Sequence, residues 1–337
     1  MSTANNKSAK LQDLWRRGTD FLGCKTAIMG GAMSWVSERH LVSALSNCGA
    51  FGVIACGSMS PHLLEQEITA TRKLTDKPFG VNLIIMHPDI EALIDVCKRS
   101  NASHVVLAGG IPKAAHIKDL KSAGINVMCF APTVAVARKL IKFGADALVI
   151  EGMEAGGHIG AVSTSVLAQE ILPEITEVPV FVAGGIGRGE VIAAYLEMGA
   201  SGAQLGTRFV CCTESVAHEN FKRVFINRSA RDAISSVQVD PEFPVIPVRA
   251  IANKATAEFI NFQHGVIASY RSGKIDKAEA SLKIEHFWAG ALRRAVIDGD
   301  VENGSLMAGQ SVGMVTKIEP LRDIIAELVN QAENYLN

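Results

Sequence analysis

A chain of 337 residues, 48% hydrophobic and 20% charged, can close one large core, which excludes a disordered chain and sets a single barrel with an appendage against two ordinary domains. Lys plus Arg number 33 against 34 Asp plus Glu, a balance that offers no field for nucleic acid or an anionic membrane surface. The seven cysteines, odd in number and without a C-x-x-C pair, fit reduced thiols in a cytoplasm better than a disulfide framework, and no apolar run approaches the roughly 18 residues of a membrane span.

Lys7 to Asp20 carries Leu11, Leu14 and Trp15 at the spacing of an amphipathic helix, read here as packed on the domain rather than as a transit peptide. Short apolar runs then recur at intervals of 21 to 33 residues, beginning near Thr26, Gly52, Gly80, His104, Asn126, Ala147, Val180 and Ala203. Helix-period segments lie between them, among them Glu38 to Ser46, Leu63 to Leu74, Ile90 to Lys98, Val134 to Phe143 and Glu190 to Met198, and Gly49, Gly124, Gly144 and Gly199 stand where helix C-termini favour glycine. Eight continuous rather than alternating apolar runs predict a (β/α)8 TIM barrel of α/β class. No G-x-G-x-x-G opens a helix after the first run, which weighs against a Rossmann-type sheet. After Thr207 the pattern changes, and residues 213–303 read as mostly helical and strandless: a helical cap inserted after strand eight, with 1–212 and 304–337 forming the barrel. Ile318 to Tyr335 has the spacing of the eighth outer helix.

Residues at strand ends of such a barrel gather on one face. There the sixth run ends in Glu151-Gly-Met-Glu-Ala-Gly-Gly-His158-Ile-Gly160, where bare backbone suits a flat ligand and an imidazole beside it can take and return a proton. A Gly-rich turn with an incidental histidine is the plainer alternative. The seventh and eighth runs end in Ala183-Gly-Gly-Ile-Gly187 and Gln204-Leu-Gly-Thr207, whose exposed N–H groups and hydroxyl form an anion cradle and imply a phosphate-bearing ligand. Asn82 is an amide among apolar neighbours, satisfied either by a ligand ring or by backbone. Met33 packs on a ring face or in the core, and Glu151 accepts from a ligand or pairs with a cation. Paired carboxylates of glycosidase type and His/Cys/Asp metal clusters are not seen.

Together these residues resemble the flavin-dependent nitronate monooxygenases (2-nitropropane dioxygenases) and the related flavin-type enoyl-acyl-carrier-protein reductases, over nearly the whole chain. The motif E-A-G-G-H at Glu154 to His158 carries the resemblance, with Phe79 to Asn82, Ala183 to Ile186, Gln204 to Phe209 and Met307 to Gln310 in support. It implies FMN, its phosphate on Gly184, Gly185, Gly206 and Thr207 and its ring near Met33, Asn82, Glu151 and Gly156, with Gly31, Gly157, Gln204 and Leu205 completing the set. It also implies His158 as the catalytic group. Oxidation of nitroalkanes or nitronates with O2 is the first expectation. Reduction of an enoyl thioester, with NAD(P)H as co-substrate and acyl carrier protein as partner, is the alternative: Glu151 and Met307-Ala-Gly-Gln310 look like the reductase, while Ala55-Cys-Gly-Ser58 and Leu107 to Pro112 do not. A flavin-free phosphosugar isomerase or lyase and a barrel that binds without turnover are the readings from other classes. A small-molecule substrate is expected under any of these, with no nucleic-acid or membrane partner, and the apolar residues of the cap serve as either a pocket wall or a homodimer face.

Overall fold

The computed structural model describes residues 2–243 and 246–336. Its main sheet contains the eight strands β1 (Ile28–Gly30), β2 (Val53–Ala55), β3 (Gly80–Ile84), β4 (His104–Ala108), β5 (Asn126–Phe130), β6 (Ala147–Glu151), β7 (Val180–Ala183) and β8 (Gly202–Leu205). All pair in parallel, β8 returns to β1, and a bridge between Met29 and Phe51 joins β1 to β2. Following the pairing once around the wall returns to β1 displaced by eight residues, the stagger of a closed eight-stranded barrel. The fold is therefore a (β/α)8 barrel, with strands where the apolar runs put them.

The continuous apolar character of the strands has a simple cause: they are covered on both faces, by the barrel interior and by helices. Helix starts and stops follow local chemistry. The Glu38 carboxylate accepts from the His40 and Leu41 N–H groups ahead of Arg39–Asn47, Ser60 caps Pro61–Leu74, and Thr133 caps Val134–Phe143. Gly49, Gly124, Gly144 and Gly199 have φ of +82°, +76°, +107° and +106°, as their placement after helices requires. The N-terminal segment forms two helices, Ser2–Leu14 and Arg16–Leu22, whose Leu11 and Leu22 are fully buried, as is Trp15 at the junction between them. They cover the N-terminal end of the barrel, where the Phe21 carbonyl lies 2.8 Å from Nε2 of His104 and the Phe21 ring meets the imidazole edge-on. Burial lowers the pKa of His104, which suits a neutral structural ring.

The inserted residues correct one expectation. Residues 213–303 are not strandless: Ala233–Ser235 and Val248–Ile251 pair antiparallel, and Gly157–His158 adds a third strand to their sheet. These strands are two to four residues long and the middle one carries an arginine, so no apolar run announced them. The helices Lys254–Arg271 and Lys277–Val296 pack together over a small second core that includes Phe243, Val248, Phe259 and Trp288. Phe221, Phe225, Leu292 and Val296, also from the insertion, belong instead to the barrel core. Among the described residues no helix is long and apolar enough to cross a membrane.

The C-terminal helix Leu321–Tyr335 packs on Gly189–Glu197 and is tied to the end of β8 by ions. Buried Arg208 lies 3.3 Å from Glu319 and 2.7 Å from Glu327, and Lys317 lies 2.9 Å from Glu319. Replacing Arg208 by Met leaves buried Glu319 with Lys317 alone. We expect a loss of about 3 kcal/mol in urea unfolding, partly recovered by adding Glu319→Gln.

Candidate active site

The C-terminal rim of the barrel collects the residues singled out by sequence. Glu151 stands opposite Ala183, Ala183 opposite Gln204, and Gln204 opposite Met29, so the ends of β6, β7, β8 and β1 share one level. Gly31 N donates to the Leu205 carbonyl at 2.8 Å. Gly30 and Gly31 differ in kind: a Cβ on Gly30 would strike Leu45 at 2.3 Å, whereas one on Gly31 would meet only Gln204 and the Leu205 carbonyl at 3.6 Å. Gly30 is thus needed for helix packing and Gly31 faces the rim. Met33 sits at the eighth loop, its Sδ 3.4 Å from where a Cβ on Gly206 would be. Gly31, Met33, Gln204, Leu205, Gly206 and Thr207 therefore form one cluster, with Gln204 and Thr207 buried.

Gly184 and Gly185 follow β7 with φ of +96° and +71°, two successive left-handed residues that curl the chain into a concave turn. A Cβ on Gly184 would lie 2.9 Å from the Gly152 carbonyl. The neighbouring loop is held by Glu154, whose carboxylate accepts from the N–H and the hydroxyl of Thr164, both at 2.9 Å. Glu154 belongs to the motif read from sequence, but its role is to fasten this loop to the start of helix Thr164–Ile171. Asn82 stands apart on β3, buried, and its Nδ2 donates to the Val106 carbonyl at 3.2 Å, so at least half of its amide is satisfied by backbone.

The segment returning from the insertion locks the rim. Gly309 N donates to the Thr207 hydroxyl at 2.8 Å and Gln310 N to the Glu154 carbonyl at 2.9 Å. Gly156 lies against it so closely that a Cβ would fall 2.6 Å from the Ala308 carbonyl carbon and Gly309 N. Gly157 has φ +77° and opposes Arg249 in the small sheet, and His158 opposes Val248. Residues paired across strands share a face, so exposed His158 projects on the side of Val248 and Ala250. Arg249, which no sequence signal marked, is buried on the other side. Its Nε donates to the Met153 carbonyl at 3.0 Å and its Nη1 to that of Ala233 at 2.6 Å. Burial lowers its pKa, opposed by the charge of Glu154.

The electrostatics of the rim centre on Glu151. Burial in the barrel mouth pushes its carboxyl up to about 8, so near neutral pH it is the protonated acid and can donate a hydrogen bond as well as accept one. The cysteines play no comparable part: burial pushes Cys56, Cys129 and Cys211 up to about 12, far from thiolate chemistry. Among the described residues no cluster of His, Cys, Asp or Glu could hold a metal ion.

Residues 16–93 and 90–331 match the family model of nitronate monooxygenase. The chain belongs to the nitronate monooxygenase family. A similar relative is the (3aS,4S,5R,7aS)-5-hydroxy-7a-methyl-1-oxo-octahydro-1H-indene-4-carboxyl-CoA dehydrogenase of Rhodococcus jostii, 30% identical over 93% of this chain and 94% of that one. Among solved structures, FabK of Thermotoga maritima superposes with a TM-score of 0.84 at 34% identity, covering 94% of this chain and 96% of FabK. The nitroalkane oxidase of Streptomyces ansochromogenes gives 0.78 at 26% identity, covering 94% and 98%. Nitronate monooxygenase family members are flavin-dependent, and this chain is a flavin-dependent oxidoreductase.

The raised Glu151 carboxyl sets a direction for stability. A group whose folded pKa lies above its ordinary value, here about 8 against 4.5, favours the fold most below 4.5 and loses that contribution as pH rises through about 8. Thermal melts of cofactor-free protein should therefore show the wild type losing ground to Glu151→Gln between pH 5 and pH 9. Parallel curves would mean that the carboxyl ionises normally.

Proposed function

We propose that this chain binds FMN on the barrel rim and oxidises or reduces the acyl part of a thioester, with His158 moving the proton. The observation that carries the reading is the pairing of a bare-backbone rim with a histidine on the sheet above it. The cradle fits a phosphate: Gly184 and Gly185 curl the chain into a concavity, and Gly206 leads into Thr207. The Thr207 hydroxyl already accepts from Gly309 and has its own proton to donate to an anion. Gly31, Met33, Gln204 and Leu205 would border the cofactor on the β1 and β8 side, Asn82 and neutral Glu151 would offer polar edges to its ring, and Gly156 and Gly157 would let the main chain approach it. When bound, FMN supplies the two-electron chemistry, with NAD(P)H as the external reductant if the reaction is a reduction.

Two further observations favour an acyl substrate over a small nitronate. The relative at 30% identity is named for action on a carboxyl-CoA, and FabK, at 34%, exceeds the nitroalkane oxidase at 26%. In addition, a cleft of about 240 Å³ opens between the small sheet and the helices Lys254–Arg271 and Lys277–Val296, with Val248, Ile260 and Trp288 in its walls. At about 30 Å³ per water-sized group it has room for roughly eight heavy atoms. None of its lining residues is charged, which suits a hydrocarbon body, and Val248 is the residue opposite His158. Nitronate oxidation is the second reading, favoured by the family match itself and by the nitroalkane oxidase neighbour. With a thioester His158 would exchange a proton with the carbon next to the carbonyl, with a neutral nitroalkane it would take the proton from the carbon bearing the nitro group, and with a preformed nitronate it would only orient the anion.

Anaerobic mixing decides between them by absorbance of the flavin. Bleaching by NADH or NADPH, reversed by trans-2-octenoyl-CoA, is the expected result; bleaching by ethylnitronate alone, with none by NAD(P)H, would reverse the choice. His158→Ala should keep bound flavin and lose at least 100-fold in turnover, whereas Gly206→Val should yield colourless protein.

A further inference from the structure

We infer that Arg249 is a positioning residue: its guanidinium straps the loop that leads to His158 onto the inserted sheet and so holds the imidazole over the rim. This inference rests on the role proposed above for His158. Arg249 is only 4% exposed, and among the described residues no carboxylate lies within ion-pair distance of it. Burying a guanidinium is costly unless its donors are used, and those with assigned partners go to two main-chain carbonyls.

The two carbonyls belong to different parts of the molecule. Met153 lies two residues beyond the end of β6, in the loop that runs from the barrel rim to His158; Ala233 begins a strand of the insertion. One side chain thus bridges rim loop and cap sheet. The bridge adds to a short ladder: the strand carrying His158 is two residues long and pairs with Val248–Ile251 at Gly157 and His158, with the Ile159 N–H donating to the Pro247 carbonyl just beyond.

Gly157 is the other half of the device. It is the residue directly opposite Arg249, and its φ of +77° is one that glycine adopts without strain; a Cβ there would have Met307 Sδ at 3.5 Å. His158 pairs with Val248 and Gly157 with Arg249, so the imidazole lies on the Val248 side of the sheet and the guanidinium, bonded to the Met153 carbonyl, on the other. The strap and the proton-transfer group are therefore adjacent in the sheet but do not compete for space.

The test is a double-mutant cycle on FMN-loaded protein, assayed with trans-2-octenoyl-CoA plus NADPH and with ethylnitronate. Arg249→Met should lower kcat by 10- to 100-fold, the scale expected of a reacting group misplaced by about an ångström, with KM changed less than threefold and flavin content unchanged. Arg249→Lys, which keeps donors for the carbonyls, should recover part of the loss. In a His158→Ala background the same Arg249→Met change should cost less than twofold, because there is no imidazole left to misplace. Faster amide exchange across residues 152–158 in both Arg249 variants should accompany the loss. An equal fall in both backgrounds would overturn the proposal by showing that Arg249 acts without His158. So would a fall in kcat matched by loss of flavin, or an unchanged kcat. Full activity of His158→Ala itself would instead refute the proposed role of His158, a result separable from these.

Discussion

Main chain meets main chain where residues 154–156 touch 308–310, and the site depends on that contact. A Cβ on Gly156 would fall 2.6 Å from the facing backbone and one on Gly309 2.8 Å from the Glu154 carbonyl, so neither position tolerates a side chain. Two hydrogen bonds, Gly309 N to Thr207 and Gln310 N to Glu154, fix the register of the approach. Through it, three loops that leave the barrel at β6, at β8 and at the end of the insertion become one rigid rim. Side-chain packing would not give the same definition, because an apolar contact tolerates sliding whereas a pair of directed N–H bonds does not.

The polar groups set into this region differ in how burial is compensated. Arg208 is matched by carboxylates, Glu154 by the N–H and hydroxyl of Thr164, and Arg249 by carbonyls. Among the described residues no cation offsets the burial of Glu151; its answer is to hold a proton. The first three bind parts of the fold to one another. Glu151, by contrast, ends its strand on the C-terminal rim, the place where (β/α)8 enzymes keep their chemistry. The distinction separates groups that hold the rim together from one whose polarity is available to a ligand.

The barrel was legible in the sequence because each strand is buried on both faces and so leaves an unbroken apolar run such as Val105-Val-Leu107 or Val180-Phe-Val-Ala183. Glycine placement after helices also read well: Gly144 and Gly199 need positive φ, and no other residue adopts it as cheaply. The small sheet was illegible for the same physical reason turned around. Its strands are short, one is completed by residues some 90 positions upstream, and its central strand buries an arginine, so neither alternation nor an apolar run exists to be seen. The structural duty of Glu154 was hidden too, since a carboxylate inside a conserved-looking motif gives no sign that it faces Thr164 rather than a ligand.

This arrangement bears on how one family can hold differing chemistries. The relatives matched over more than 90% of their length include a carboxyl-CoA dehydrogenase and a nitroalkane oxidase, so their differences do not come from added domains. On the proposed reading the anion cradle is built from backbone at β7 and β8, where side-chain identity matters little, while His158 lies in the loop after β6, paired to the insertion's sheet, and the uncharged cleft lies on the insertion. Substitutions at Ile260 or Trp288 can change the shape of that cleft without touching the cradle, because the two share no lining residue. The proposed cofactor and substrate sites thus fall on different elements, and the backbone contact at Gly156 and Gly309 keeps those elements in register.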